Sequence, residues 1–93
     1  MSDVIERLAR VIEDRKAHPA AGSYTASLFA AGLPRMAQKV GEEGVETAIA
    51  ALAENNERLA SEMADLVYHC LVLLAAKDLS WADVENELAQ RFK

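Results

Sequence analysis

Eleven successive residues without a charge, residues 66–76, constrain the fold of this chain more than any other segment. If they form a helix, apolar side chains surround it almost completely, and a helix that is apolar on all sides is a buried one. A chain of 93 residues has room for only one core. We therefore expect a central helix whose cover is completed by a second copy of the chain.

The rest of the sequence also favours helices. Alanine, leucine and glutamate, all strong helix formers, account for 39 of the 93 residues, whereas valine, isoleucine and threonine supply only twelve. Helical periodicity and the residues typical of helix ends predict five helices, over residues 3–16, 23–32, 34–53, 57–77 and 80–90. The predicted fold is an all-α bundle of four to five helices in one domain, residues 1–93, completed by homodimerisation.

Charge and cysteine content exclude several classes of protein. A net charge of −5 argues against nucleic acid as a partner. A single cysteine, Cys70, excludes an internal disulfide and a cysteine-based zinc site, which suits a reducing compartment.

The first three residues lead directly into a charged amphipathic pattern, so we expect no signal peptide. An uncharged run of 11 residues is too short to cross a bilayer. We expect a cytoplasmic protein that binds no membrane.

Charged side chains crowd one face of the third predicted helix. At about 100° per residue, two basic residues and three carboxylates project within about 100° of one another. They are Arg35, Lys39, Glu42, Glu43 and Glu46. Carboxylates this close repel one another unless cations lie among them. Taken alone, this helix favours a solvated charged stripe with ion pairs four residues apart.

The fourth predicted helix changes that interpretation. Glu62 and Asp65 lie one turn apart, and His69 continues their line into the most apolar part of the chain. Carboxylates in such surroundings are unfavourable unless they are paired or bind a metal. The alternative is an ordinary ion pair with Arg58, one turn before Glu62.

A turn at residues 55–56 brings the two acidic faces together. Glu46 lies nine residues before the turn and Glu62 six after it, so at about 1.5 Å per residue they are level to within roughly one turn. Four carboxylates then converge, those of Glu43, Glu46, Glu62 and Asp65. Oxygen ligands without cysteine favour Mg²⁺ or Mn²⁺ over Zn²⁺. A metal held by carboxylates beside lysine and arginine is typical of phosphate-ester or anhydride chemistry.

Two glycines, Gly41 and Gly44, stand inside the third predicted helix, on the same arc as its apolar residues. Each costs about 1 kcal/mol of helix stability relative to alanine. We therefore expect another helix to pack tightly there. This supports a dimer in which the third and fourth helices pack against their symmetry mates.

The carboxylate pattern resembles the signature of the all-α nucleoside-triphosphate pyrophosphatases, the MazG-like superfamily. It reads Glu42-Glu43-x-x-Glu46, fifteen residues, then Glu62-x-x-Asp65. Further segments are similar to the phosphoribosyl-ATP pyrophosphohydrolase family, namely Arg15-Lys16, Ser23-Tyr24-Thr25-x-x-Leu28, Lys39-Val40-Gly41-Glu42-Glu43 and Asp65-Leu66-Val67-Tyr68-His69. The resemblance covers residues 4–91, and its one departure is Gly44, where alanine is commoner in the family.

The resemblance implies the reaction. Water attacks the α–β phosphoanhydride of phosphoribosyl-ATP, which gives phosphoribosyl-AMP and pyrophosphate in the second step of histidine biosynthesis. The implied cofactor is Mg²⁺, with Mn²⁺ as an alternative, and its implied ligands are Glu43, Glu46, Glu62 and Asp65. Lys39 and Glu42 are the implied catalytic residues. Lys39 contacts phosphate, and Glu42 either supports the metal ligands or binds a second metal, in a position to orient the water. His69 is expected to support Asp65 from behind the metal site, and a role as base or ligand is the alternative.

A second anion site is expected after the first helix. Arg15 and Lys16 lie near the start of the second helix, whose free N–H groups and whose Ser23 and Thr25 hydroxyls favour phosphate. The implied substrate carries a 5′-phosphate on its extra ribose as well as a triphosphate, so two anion sites suit it. With Arg35, these residues are the expected substrate contacts. The alternative is that Ser23 is only a helix cap.

Three other interpretations remain open. A house-cleaning nucleoside-triphosphate pyrophosphatase of the same superfamily shares the carboxylate pattern, and residues 15–25 are what separate it from the phosphoribosyl-ATP enzymes. A carboxylate-bridged di-iron bundle requires Glu-x-x-His pairs, and no glutamate here is followed by histidine three residues on. A non-enzymatic helical dimerisation module would use its carboxylates only in surface ion pairs.

Overall fold

The computed structural model describes residues 3–92, with side chains from Val4 onward. It contains five helices, α1 (Asp3–Ala17), α2 (Tyr24–Ala31), α3 (Leu33–Ala53), α4 (Asn56–Ala76) and α5 (Trp81–Gln90). None of residues 3–92 lies in a strand. The all-α class is therefore confirmed, and so are the five predicted helices.

The helices begin and end where local chemistry favours it. The Ser23 hydroxyl accepts a hydrogen bond from a backbone N–H of the first turn of α2 at 3.1 Å. The Asn55 side chain caps α4 in the same way at 2.8 Å, and Ser80 forms a capping box with Asp83 at the start of α5. Gly32, with a φ of +100°, ends α2 and precedes α3, a backbone conformation that glycine adopts without strain.

The longest helices, α3 and α4, have 21 residues each and form an antiparallel hairpin. Helix α1 packs against α4, while α2 packs against α1 and α3. The core between them is formed by Ile12, Leu28, Met36, Leu71, Val72 and Ala75. No side chain of α5, residues 81–90, is buried, and this helix packs chiefly against α1. The hairpin of α3 and α4 therefore carries both of the acidic helix faces that the sequence singled out.

Helix α4 is only partly covered within this chain. His69, Leu71, Val72 and Ala75 are buried, whereas the other residues of the uncharged run remain partly exposed. By length and composition alone, α4 would also be able to cross a bilayer, although its uncharged run by itself is too short. A helix that forms the core of a folded protein meets the same criterion, and α4 contributes three of the six core side chains.

The two glycines inside α3 have no close neighbour in this chain. A Cβ atom added at Gly41 or Gly44 would meet no atom of the described residues within 4 Å. The expectation of tight helix packing there is therefore wrong within a single chain. Gly41 belongs instead to an exposed apolar surface, which we call the open face of α3 and which consists of Ala37, Gly41, Val45, Ala48, Ile49 and Leu52.

Candidate metal and substrate site

Three carboxylates meet between α3 and α4. Glu43, Glu62 and Asp65 each contribute an oxygen, and these three oxygens lie within 4.8 Å of one another. Glu43 and Glu62 are buried, at 6% and 7% exposure, while Asp65 lies at the exposed rim. The hairpin explains the meeting, because the turn at residues 54–55 places the two acidic helix faces side by side. We refer to these three residues as the acidic cluster.

Glu46, the fourth predicted ligand, lies outside the acidic cluster. Its side chain is exposed, and it lies three residues after Glu43 on α3. The negative charge of Glu46 nevertheless affects Glu62. The pKa of Glu62 is raised first by burial and then by repulsion from Glu46, Glu43 and Asp65. Repulsion of this kind is relieved when a cation binds among the carboxylates.

The two oxygens of Glu62 have different surroundings. Oε2 accepts a hydrogen bond from Nη2 of Arg58 at 2.5 Å, so the ion pair foreseen as an alternative does form. Oε1 is buried and has no hydrogen-bond partner among the described residues. A buried carboxylate oxygen without a partner is unfavourable. A divalent cation held by Glu43, Glu62 and Asp65 would supply that partner, and hard oxygen donors suit Mg²⁺ or Mn²⁺.

Lys39 connects the acidic cluster with Glu42. Its Nζ lies 3.5 Å from an oxygen of Glu43 and 3.4 Å from an oxygen of Glu42. Burial lowers the pKa of Lys39, but the contacts with these carboxylates outweigh burial and the net pKa is raised. Gln38 donates a hydrogen bond to Glu42 at 2.8 Å, and this bond and Lys39 lower the pKa of Glu42. Lys39 is therefore charged and Glu42 ionised at neutral pH.

His69 is buried one turn after Asp65 and joins α4 to α2. Its Nδ1 lies 2.8 Å from the backbone oxygen of Asp65, and its Nε2 lies 3.1 Å from the Tyr24 hydroxyl. A carbonyl oxygen only accepts, so Nδ1 carries a proton and donates it, and Nε2 faces the Tyr24 hydroxyl. The bond to Asp65 therefore runs to its backbone and not to its carboxylate.

The residues of the expected second anion site have other partners. Lys16 Nζ donates to the backbone oxygen of Ala75 at 2.7 Å and to Asp78 at 2.8 Å, and the Asp78 hydrogen bond raises its pKa. Arg15 pairs with the neighbouring Asp14 at 2.9 Å. Lys16 thus lies at the carboxyl end of α4.

The other expected substrate contacts lie nearer the acidic cluster. Ser23 caps α2, which is the structural alternative left open for it. Thr25 Oγ1 lies 2.5 Å from the Tyr68 hydroxyl, adjacent to His69. Arg35 is exposed on α3, and its charge contributes to lowering the pKa of Glu42.

Two tyrosines of the segments that carry the family resemblance, Tyr24 and Tyr68, were not among the predicted site residues. Tyr24 hydrogen-bonds to His69, 45 residues away in the sequence, and Tyr68 hydrogen-bonds to Thr25, 43 residues away. The two tyrosine rings stack with their centroids 6.3 Å apart. Tyr24 also lies near Lys39. No local pattern predicts such pairs, although both tyrosines stand beside residues that were selected.

Comparisons with known proteins are consistent with this geometry. The family described as phosphoribosyl-ATP pyrophosphohydrolase matches residues 5–92. A phosphoribosyl-ATP pyrophosphatase of Pyrobaculum calidifontis is 58% identical over 90 residues, covering 97% of this chain and 96% of that protein. One from Metallosphaera sedula is 50% identical over 93 residues and covers both chains completely. The histidine biosynthesis bifunctional protein HisIE of Pasteurella multocida is 52% identical over 87 residues, 94% of this chain and 43% of that protein.

Proposed function

This chain belongs to the phosphoribosyl-ATP pyrophosphohydrolase family, and we propose from this premise that it hydrolyses phosphoribosyl-ATP to phosphoribosyl-AMP and pyrophosphate. It is a hydrolase acting on a phosphoric anhydride, and its reaction belongs to histidine biosynthesis. The observation that carries this conclusion is the match to named phosphoribosyl-ATP pyrophosphatases along the whole chain. The same names argue against a house-cleaning nucleotide pyrophosphatase, a di-iron bundle and a non-enzymatic module.

The acidic cluster is the proposed metal site. Glu43, Glu62 and Asp65 hold Mg²⁺, or Mn²⁺, and the exposed Glu46 is the fourth ligand or a neighbour that adds charge. When bound, the cation neutralises the phosphate oxygens of the substrate. The support is the buried Oε1 of Glu62, which has no hydrogen-bond partner among the described residues.

Lys39 and Glu42 are the proposed catalytic residues beside that cluster. Lys39 is held between two carboxylates and keeps its charge, so it is placed to contact a phosphate oxygen near the metal. Glu42 is ionised and partly exposed, so it can accept a hydrogen bond from the attacking water and orient it. Gln38 holds the Glu42 carboxylate in position.

The start of α2 is the proposed site for the remaining phosphate of the substrate. The support is that Tyr24 and Thr25, in the first turn of α2, contact His69 and Tyr68, which follow Asp65 by about one turn of α4. Arg15 and Arg35 are exposed or partly exposed cations that can contact the same anion. Lys16 joins them only if it releases Asp78.

The dimer is part of the proposal. The open face of α3 is apolar and exposed, with Val45 at 61% and Leu52 at 89% exposure. Contiguous apolar surface of this kind marks an association site. A second copy packed there would also account for Gly41, where an added Cβ would meet no atom of the described residues within 4 Å. We place the activity in a single domain over residues 1–93 that acts in the cytoplasm as a homodimer or a higher oligomer.

Turnover measurements test the proposal. Purified protein is incubated with phosphoribosyl-ATP, with and without Mg²⁺, and released pyrophosphate is measured. The same assay with canonical and modified nucleoside triphosphates serves as the comparison. Efficient Mg²⁺-dependent turnover of phosphoribosyl-ATP alone supports the assignment. Preference for another nucleotide would favour a house-cleaning enzyme, and no turnover of any nucleotide would favour the non-enzymatic module.

A further inference from the structure

Arg58 stands between the acidic cluster and solvent. Its Nη2 donates to Oε2 of Glu62 at 2.5 Å, and its Nε donates to Oε1 of Glu54 at 3.2 Å. The Arg58 side chain is 51% exposed, whereas that of Glu62 is 9% exposed. The guanidinium group is thus fixed at two points, one of them at the end of α3.

This arrangement makes the two oxygens of Glu62 unequal. Oε2 is occupied by a donor that stays protonated at every physiological pH and cannot itself accept a hydrogen bond. Oε1 is buried and without a hydrogen-bond partner among the described residues. Oε1 is therefore the better ligand for a cation, and Oε2, whose electrons are shared with Arg58, is a poorer one for as long as the Arg58 pair persists.

We propose that Arg58 sets the cation preference of the acidic cluster by withholding Oε2 of Glu62, an inference that rests on the metal site proposed above. Ca²⁺ takes six to eight oxygens and readily uses both oxygens of one carboxylate. Mg²⁺ takes six oxygens at shorter distances and keeps several waters, so one oxygen from each carboxylate suits it. Arg58 thereby disfavours Ca²⁺ relative to Mg²⁺.

Arg58→Met tests this directly, because it keeps the length of the side chain and frees Oε2. The dissociation constants of Mg²⁺ and Ca²⁺ are measured by calorimetry without substrate. We expect the ratio Kd(Ca²⁺)/Kd(Mg²⁺) to fall by about tenfold, the lower end of what partners of metal ligands contribute. Loss of the positive charge affects two divalent cations alike and cancels in the ratio.

Three variants make the result specific. Arg58→Lys keeps a donor for Oε2 and should keep the ratio of the unmodified protein. Glu54→Gln removes the second anchor of the guanidinium without touching Glu62, and should lower the ratio in the same direction by a smaller factor. Arg91→Met breaks an equivalent pair four residues apart, with Glu87 at 3.4 Å, and should leave the ratio unchanged.

The outcomes separate this inference from the proposed function. An unchanged or increased ratio in folded Arg58→Met would overturn the selectivity role while the metal site stands. If Arg58→Met does not fold, an unchanged ratio in Glu54→Gln overturns it equally. Failure of the unmodified protein to bind either cation would instead remove the metal site itself.

Discussion

At the scale of single residues, Asp65 gives the sharpest test of the metal site. Asp65→Asn removes one of three crowded negative charges and a proposed metal ligand while it preserves shape. We expect activity to fall by about 10²-fold or more, as for other losses of electrostatic stabilisation in an active site. The metal-free protein should be as stable as the unmodified one or more so, because repulsion is relieved.

Melting temperatures with and without Mg²⁺ check the second half of this prediction. Mg²⁺ stabilises a folded state that binds it, and Asp65→Asn should reduce that shift. Glu85→Gln, at an exposed position of α5, is the matched control. If Asp65→Asn destabilises the metal-free protein and leaves both activity and the Mg²⁺ response unchanged, Asp65 is no ligand.

Arg15 is the second prediction at this scale. Among the described residues its guanidinium pairs with the neighbouring Asp14 at the protein surface, so it is available to a substrate anion. We expect Arg15→Ala to raise KM for phosphoribosyl-ATP by about tenfold, the loss of one charge-assisted contact, with the Mg²⁺ requirement unchanged. Arg10→Ala, on the same helix, should leave KM unaltered. Equal losses for phosphoribosyl-ATP and for ATP would place the contact at the triphosphate instead.

At the scale of helices, Lys16 links α1 to the carboxyl end of α4 through hydrogen bonds. It donates to the Ala75 backbone oxygen and to Asp78, whose positive φ of 58° turns the chain away from the helix. We expect Lys16→Met to lower the melting temperature by about 2–5 °C, an effect typical of a lost capping bond in a small domain. Thermal unfolding monitored by circular dichroism measures it, and an unchanged value would mean that water replaces the contact at no cost.

The same contact has a pH dependence. The Lys16 hydrogen bond lowers the pKa of Asp78, so the pair stabilises the fold above the ordinary aspartate pKa and this contribution is lost as pH falls through the lowered value. Asp78→Asn keeps a residue that tolerates positive φ but cannot ionise. As the pH falls below about 4, the ordinary aspartate range, the stability of the Asp78→Asn variant should therefore approach that of the unmodified protein. A stability gap that stays constant with pH would contradict the pairing.

Helices were predictable from this sequence because their causes are local. Ser23, Asn55 and Ser80 mark helix starts within a few residues of the bonds they make, and the turn between α3 and α4 sets which acidic faces meet. The contacts of Lys16 with Asp78 and of Tyr24 with His69 span 62 and 45 residues, and no local pattern encodes them. The position of Glu46 is a second example. Helical spacing predicted that its carboxylate would join the other three, but spacing alone does not determine the position of a side-chain carboxylate, and Glu46 lies outside the acidic cluster.

At the scale of the whole molecule, the open face of α3 predicts the assembly. Ile49→Glu places a charge on a surface that a second copy would cover, and we expect it to produce monomers. Gly41→Leu should also weaken association, and it should leave the fold of one chain unaffected because no atom of the described residues lies near that position. Analytical ultracentrifugation measures both effects, with Val4→Glu, at 60% exposure on α1, as the control. A dimer that survives both changes would place the interface elsewhere.

The hairpin of α3 and α4 also bears on how fast the protein folds. Glu43, Glu62 and Asp65 lie within 22 residues of one another along the chain, so the whole acidic cluster forms once two consecutive helices have docked. Contacts of short sequence separation form early, because little loop entropy is lost in closing them. A cation that binds this hairpin therefore acts on the folding transition state as well as on the native state. Mg²⁺ should accelerate refolding and have little effect on the unfolding rate, which stopped-flow measurements across a urea series would show directly.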